Sequence, residues 1–264
     1  MGPEGARIAS HRRAILTCMY VAAHFALTEH DCLRILADVG AADLVTVHEE
    51  GPDATYLPLD LVRAGATLPD GRAPGPLGSL VGHVARNNPQ GLRAPIGPAL
   101  ALAHAGDHYV SPADLPSHAG PDGTGSGTVV PTWDHVTVHA YGDLVLHDDP
   151  AWILSTMRAL TERHERAWAL PGSPTWSVDD APADFTERMI RGVIGIELRI
   201  DRLVGKAKMS QNKAPADVAG EIAALEARGM HELAAYKRDV SLPAAQARAD
   251  LLADVGRRHR ARRG

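Results

Sequence analysis

Polar and apolar positions alternate along much of this chain, and the alternating runs are short. They read "ADLVTVHEE", "ATYLPLDLV", "SLVGHVA", "ALALAHA", "HVTVHAYGDLVLH" and "GIELRIDRLVG". In the last run Ile196, Leu198 and Ile200 point one way and Glu197 and Arg199 the other, the period of a strand with one buried face. Close spacing of such runs favours an antiparallel barrel over βαβ units. Helical spacing is confined to a few stretches. In "TEHDCLRILADVG", Thr28 is a predicted N-cap with Asp31 three residues on, Cys32, Leu33 and Leu36 share a side, and Gly40 is the stop. After "HDDP", Asp149 caps a second helix with Pro150 at its first position and Ile153, Met157, Leu160 and His164 at helical spacing, expected to lie across the barrel. A third begins near Asp217 with Val218, Ile222 and Leu225, and "MHELAAYKRD" continues the helical tail. The prediction is an α+β, mainly β domain. Residues 63–78 and 115–131 are Gly/Pro-rich loops, and the second is long enough to serve as a lid.

Composition narrows the class. The chain has 264 residues, 45% of them apolar and 22% charged, enough for one large domain. A net charge of -5 gives no drive toward nucleic acid or anionic membrane. The exception is the final "RRHRARRG", with Arg257, Arg258, Arg260, Arg262 and Arg263, expected to be solvated and disordered. Cys18 and Cys32 form no CxxC pair. "RRAILTCMYVAAHFAL" starts like a signal peptide, but His24 interrupts it and a capped helix follows, so a cytoplasmic location is expected. No apolar run approaches the roughly 20 residues of a membrane span.

There is no GxGxxG, Walker A loop, HExxH or GxSxG, so chemistry must rest on dispersed residues. The candidates are His83, His108, His118, His135 and His139, with Tyr109, Trp133, Asp134 and the cluster Lys206, Lys208, Gln211 and Asn212. His83 lies in "SLVGHVARNNPQ", an apolar run ending in a polar turn. A packed histidine, a phosphate contact and a metal ligand are all compatible with that setting.

Six motifs occur in order: "MYVAAHFA" at 19–26, "GHVARNNPQ" at 82–90, "HYVSP" at 108–112, "VVPTWDHVTVHAYG" at 129–142, "DAPADFTERMIRGVIGIEL" at 180–198 and "GKAKMSQNK" at 205–213. In this the sequence resembles the PaiB-like family, usually labelled flavin-binding negative transcriptional regulators. The resemblance implies a flavin split barrel, a six-stranded antiparallel barrel with peripheral helices, forming a homodimer with its cofactor at the subunit interface. It places an N-terminal extension at 1–18, the split barrel with C-terminal helices at 19–228 and a helical, basic tail at 229–264.

The family also resembles the home of piperazate synthase, a haem enzyme that closes N5-hydroxy-L-ornithine into the N–N bonded ring of L-piperazate. Regulator-like members read "SPSWYPSK" and "VPTWNY", whereas this chain has "SPADLPSH" and "VPTWDH". Losing aromatics and a lysine weakens a flavin site, and Asp134-His135 supplies an ionisable pair suited to proton transfer. The expectation is therefore a haem b-dependent cyclase of this branch, acting on N5-hydroxy-L-ornithine. In it His83 is the axial iron ligand. Arg86, Asn88, Trp133, Lys206, Lys208 and Gln211 hold the cofactor, and His135, Asp134 and Tyr109 do the proton work. The alternative is an FMN-binding PaiB-like redox protein or transcriptional regulator. Neither a membrane nor a nucleic-acid partner is expected for the enzyme.

Overall fold

The structure, a computed structural model, describes residues 19–119 and 129–263. The extension at 1–18 and most of the predicted lid, residues 120–128, lie outside them. The strands are β1 (Ala41–His48), β2 (Gly51–Pro58), β3 (Asp60–Val62), β4 (Ser79–Ala85), β5 (Ala99–Val110), β6 (Thr132–His147) and β7 (Val193–Lys208). The helices are α1 (Glu29–Val39), α2 (Pro89–Leu92), α3 (Pro116–Ala119), α4 (Pro150–Trp168), α5 (Ala183–Arg191), α6 (Pro215–Ala227), α7 (His231–Tyr236) and α8 (Leu242–Ala261).

Among the described residues the strands form one antiparallel sheet in the order β2-β1-β5-β6-β7-β4-β3. The edge strands β2 and β3 are joined through Leu59 alone, so the sheet must curl until its two edges lie side by side. The closure is tight. A Cβ on Gly82 of β4 would lie 2.7 Å from the Pro58 carbonyl oxygen, and Asn88 donates to Thr55 at 3.1 Å. This is a split barrel, with seven strands rather than the expected six. The difference arises in "ATYLPLDLV", which breaks at Leu59 into the end of β2 and the three-residue β3.

Inward residues of every long strand fill the barrel, with Leu44, Ala101, Val138, Ile196, Leu198 and Ile200 almost wholly buried. The predicted capping box at Thr28 and Asp31 starts α1, and Gly40 ends it in the left-handed region. Helix α1 closes one end of the barrel with Cys32, Ile35 and Leu36. It comes so near that a Cβ on Gly205 would lie 2.3 Å from the Cys32 sulfur. Helix α4 begins at Asp149 and Pro150 as the sequence predicts, and covers part of the outer face with Trp152 and Ile153 against Val81 and Ile190. The C-terminal helices build a small core of Val218, Ile222, Leu225, Ala234 and Ala245. Their basic end is exposed as expected but is helical through Ala261 rather than disordered.

One irregularity decides what faces the barrel end. Between His104 and Asp107 the β5–β6 register slips by one residue, at Gly106 with φ 112°. Before this bulge Ala99, Ala101 and Ala103 point inward, and after it His108 and Val110 do. An inserted residue exchanges the two faces of a strand. His108 and Asp134 are therefore paired and buried, while Tyr109 and Trp133 are paired and exposed.

Candidate functional site

The end of the β5–β6 ladder meets α6 and the turn after α7 in a buried polar cluster. Lys237 lies on a five-residue π-helical segment, Lys237–Ser241, and has no solvent exposure. Its ammonium donates to Asp134 at 2.6 Å and closely to Glu221 of α6. Ser210 donates to Asp134 at 2.8 Å and lies 3.0 Å from Glu221. Burial raises the Glu221 carboxyl above its ordinary range, opposed by Lys237. His108 completes the group. It is 5% exposed, both ring nitrogens lack a partner, and burial together with the Lys237 charge pushes it down to about 4.

His108, Asp134 and Glu221 offer ligand atoms within 4.8 Å of one another, the donor set of a divalent-metal site. The charge balance argues against that use. Two carboxylates already face two ammonium groups, Lys237 and, at 3.4 Å from Asp134, Lys208. A divalent ion would add two uncompensated charges to a buried site.

Beside the cluster lies a cleft of about 300 Å³, lined by His108, Tyr109, Trp133, Glu221, Leu225 and Met230 among others. On the outer face of the same ladder, β6 and β7 present a second arrangement. His135, Thr137, His139 and Tyr141 pair with Lys208, Lys206, Val204 and Arg202. The Arg202 guanidinium carbon lies 3.6 Å over the Tyr141 ring, and Nη1 of Arg202 is buried without a hydrogen-bond partner. The Lys206 ammonium makes no hydrogen bond or ion pair among the described residues. Burial lowers His139, with His104 and Arg202 adding to the effect, and burial lowers His135, with Lys206 and Lys208 adding. A half-exposed sheet face crowded with cationic and nitrogen groups is suited to an anion.

The expected site residues do not all meet. Asp134, Tyr109, Trp133 and His135 share the end of the β5–β6 ladder, with His135 on the outer face and Asp134 beneath. Lys206 lies on that outer face. Lys208 lies there too, tied to Thr132 and to the Trp133 carbonyl at 2.8 Å. Gln211 is spent on the backbone, accepting from Met209 and donating to Ala207. His83 is elsewhere, paired with Gly195 at the opposite end of β7. Leu80 and Val84 point into the barrel, and of the apolar neighbours in its motif only Val81 shares its outer face, which α4 covers.

Around His83 the described residues do not supply the usual supporting partner of a haem ligand. A ligating imidazole donates from its second nitrogen to a carbonyl or carboxylate. Nδ1 of His83 is instead buried without a partner, and burial lowers the ring's proton affinity. Arg86 is taken up by Asp148 and the carbonyls of Arg191 and Val193. Asn88 caps α2 through Gln90. Sequence reasoning missed Glu221 and Lys237, whose stretches read as exposed helix. It noted His108 without a role.

A curled antiparallel sheet with a plugged end and a cationic outer face defines a split-barrel protein of the flavin-binding type. The chain belongs to the family described as "Putative FMN-binding domain", which it matches over residues 19–202. It is 32% identical over 176 residues to an uncharacterized protein of Emericella nidulans, covering 58% of this chain and 68% of that one. It is 24% identical over 212 residues to the protease synthase and sporulation protein PAI 2 of Bacillus subtilis, covering 79% and 89%. Among solved structures, the FAD and heme binding protein of Mycobacterium smegmatis overlays with a TM-score of 0.42 at 16% identity, covering 69% and 71%. Among the described residues no helix is long and apolar enough to cross a membrane.

Proposed function

We propose that this protein binds flavin mononucleotide on the half-exposed outer face of the β5–β6–β7 ladder and acts as a flavin-dependent redox protein. The observation that carries the reading is Arg202, whose buried Nη1 has no hydrogen-bond partner among the described residues and stands on the same face as Lys206, whose ammonium likewise makes no ion pair among them. A buried donor without a partner is costly, and a phosphate oxygen is its natural complement. Membership of the FMN-binding family supports the choice.

In this assignment Arg202 and Lys206 hold the phosphate, while His139, Thr137 and His135 offer hydrogen bonds along the same face. When bound, the flavin supplies hydride and electron transfer. The chain's own part is to orient it and to keep the flanking histidines neutral, as their lowered proton affinities do. A second copy of the chain covers the half-exposed face and excludes water from it.

The test is the absorption spectrum of the purified protein, titrated with FMN, beside the Arg202→Ala/Lys206→Ala variant. A flavin spectrum in the parent, affinity at least tenfold weaker in the variant and a sedimentation mass twice that of the chain are expected. A Soret band, together with conversion of N5-hydroxy-L-ornithine to L-piperazate, would replace this reading with the haem cyclase.

A further inference from the structure

The cleft beside the buried cluster is built jointly by the FMN-binding domain and by residues beyond it. Glu221, Leu225, Arg228 and Met230 follow position 202, where the family match ends. These residues of α6 and the turn after it face the cross-strand pair Tyr109 and Trp133, each 54% exposed, with ring centroids 6.2 Å apart and planes tilted by 54°. The indole is not loose. Its Nε1 donates to Asp107 at 2.8 Å, which fixes the ring face presented to the cleft.

The charges lining the cleft are unequal. Glu221 is matched by Lys237, and Asp114 by Arg228 at 3.0 Å. Asp107 has no cationic partner among the described residues, since its bond is to a neutral N–H. His108 forms part of the wall, nine-tenths buried, and among the described residues no donor reaches the lone pair of its neutral imidazole. Its low proton affinity keeps it neutral, so it adds no positive charge to the cleft. An anionic ligand would meet the Asp107 carboxylate. A positive group would meet two aromatic faces, a free carboxylate and an uncharged acceptor.

We propose that the cleft between the β5–β6 ladder and α6 binds the ammonium group of a small organic amine, held against Trp133 and Tyr109 with Asp107 as its counter-ion. Aromatic faces attract cations through their quadrupole. The apolar side of the cleft, with Leu225 and Met230, receives the alkyl part. The arginine at the rim is already engaged with Asp114 and Ala224, so a carboxylate on the ligand is not required. Asp107 and Trp133 adjoin His135 on the outer face, whereas Arg202 and Lys206 lie farther along the ladder, so the site uses neither of the residues assigned to the phosphate.

The experiment titrates n-hexylammonium chloride into the full chain while the indole N–H resonances are followed by NMR, the Trp133→Leu spectrum assigning its signal. Hexanol and hexanoate are the neutral and anionic controls. Saturable movement of the Trp133 signal by the amine alone is expected, weakened at least tenfold in Asp107→Asn. Both substitutions lie on the exposed face, and circular dichroism checks that each variant keeps its fold. Equal binding of hexanol, an Asp107→Asn variant with the parent's affinity, or no saturable shift would overturn the proposal. Because the readout is an indole proton, a protein that fails to bind flavin can still pass this test, and the reverse.

Discussion

Lys237 donates to Asp134 across the boundary between the C-terminal helices and the barrel, a 2.6 Å ion pair in which neither side chain is more than 1% exposed. The contact joins the C-terminal helices, residues 215–261, to β6. Replacing Lys237 with Met leaves Asp134 and Glu221 facing each other without a buried cation. Breaking such a pair from one side costs about 3–5 kcal/mol. Urea unfolding should show that loss, and the Asp134→Asn/Lys237→Met double variant should recover part of it.

His108 gives the fold a defined acid sensitivity. Its folded-state value of about 4 lies below the ordinary 6.5, so between the two the unfolded chain takes up a proton that the folded chain does not. Stability from this residue is complete above about 6.5 and declines as pH falls toward about 4, by about 3 kcal/mol in all. The charges facing it are Lys237, Asp134, Asp107 and Lys208. Thermal melts of the parent and His108→Leu across that interval should diverge, with the parent losing more. Parallel curves would show that the histidine does not titrate there.

His83→Leu is expected to leave both stability and bound flavin nearly unchanged. The substitution removes a buried nitrogen that has no partner, which offsets the change in packing to within about 1 kcal/mol. Cofactor content per chain after purification is the measurement. A folded variant stripped of its chromophore would place the cofactor on β4 instead.

Truncation before Arg257 should be silent. The last turns of α8 are exposed, and among the described residues Arg257 and Arg258 pair with Asp254 of the same helix alone. Such surface pairs contribute little, about 0.5 kcal/mol each. Melting temperature and FMN affinity should match those of the full chain. A loss of either would assign the arginines a contact outside this helix.

What the sequence reveals of this molecule follows from which interactions are local. The capping box at Thr28 and Asp31, the Asp149-Pro150 helix start and the alternation of Ile196, Leu198 and Ile200 are all written within a few residues, and each appears in the structure. The break at Leu59 was illegible because it depends on where two distant edges meet. The cluster at the barrel end was half visible. Asp134 and Tyr109 stood out as polar groups near a strand end, whereas "AAYKRDV" gives no sign that its lysine is buried while the neighbouring arginine is exposed. Burial there is set by Glu221 and Asp134, 16 and 103 residues away. His83 attracted a metal role because its motif is distinctive. In the fold its polar neighbours Arg86 and Asn88 brace backbone and a helix cap.

The bulge at Gly106 lets β5 carry one residue more than its partner strand without changing which residues meet on either side. His104 faces Thr137 and Asp107 faces His135, so two residues of β5 stand against Val136 alone. Removing one of them would restore regular pairing and leave His108 beside Asp134 and Tyr109 beside Trp133. Relatives with a residue fewer at this point would therefore keep the same two surfaces, although the alternation of their letters would run unbroken where this chain's is offset.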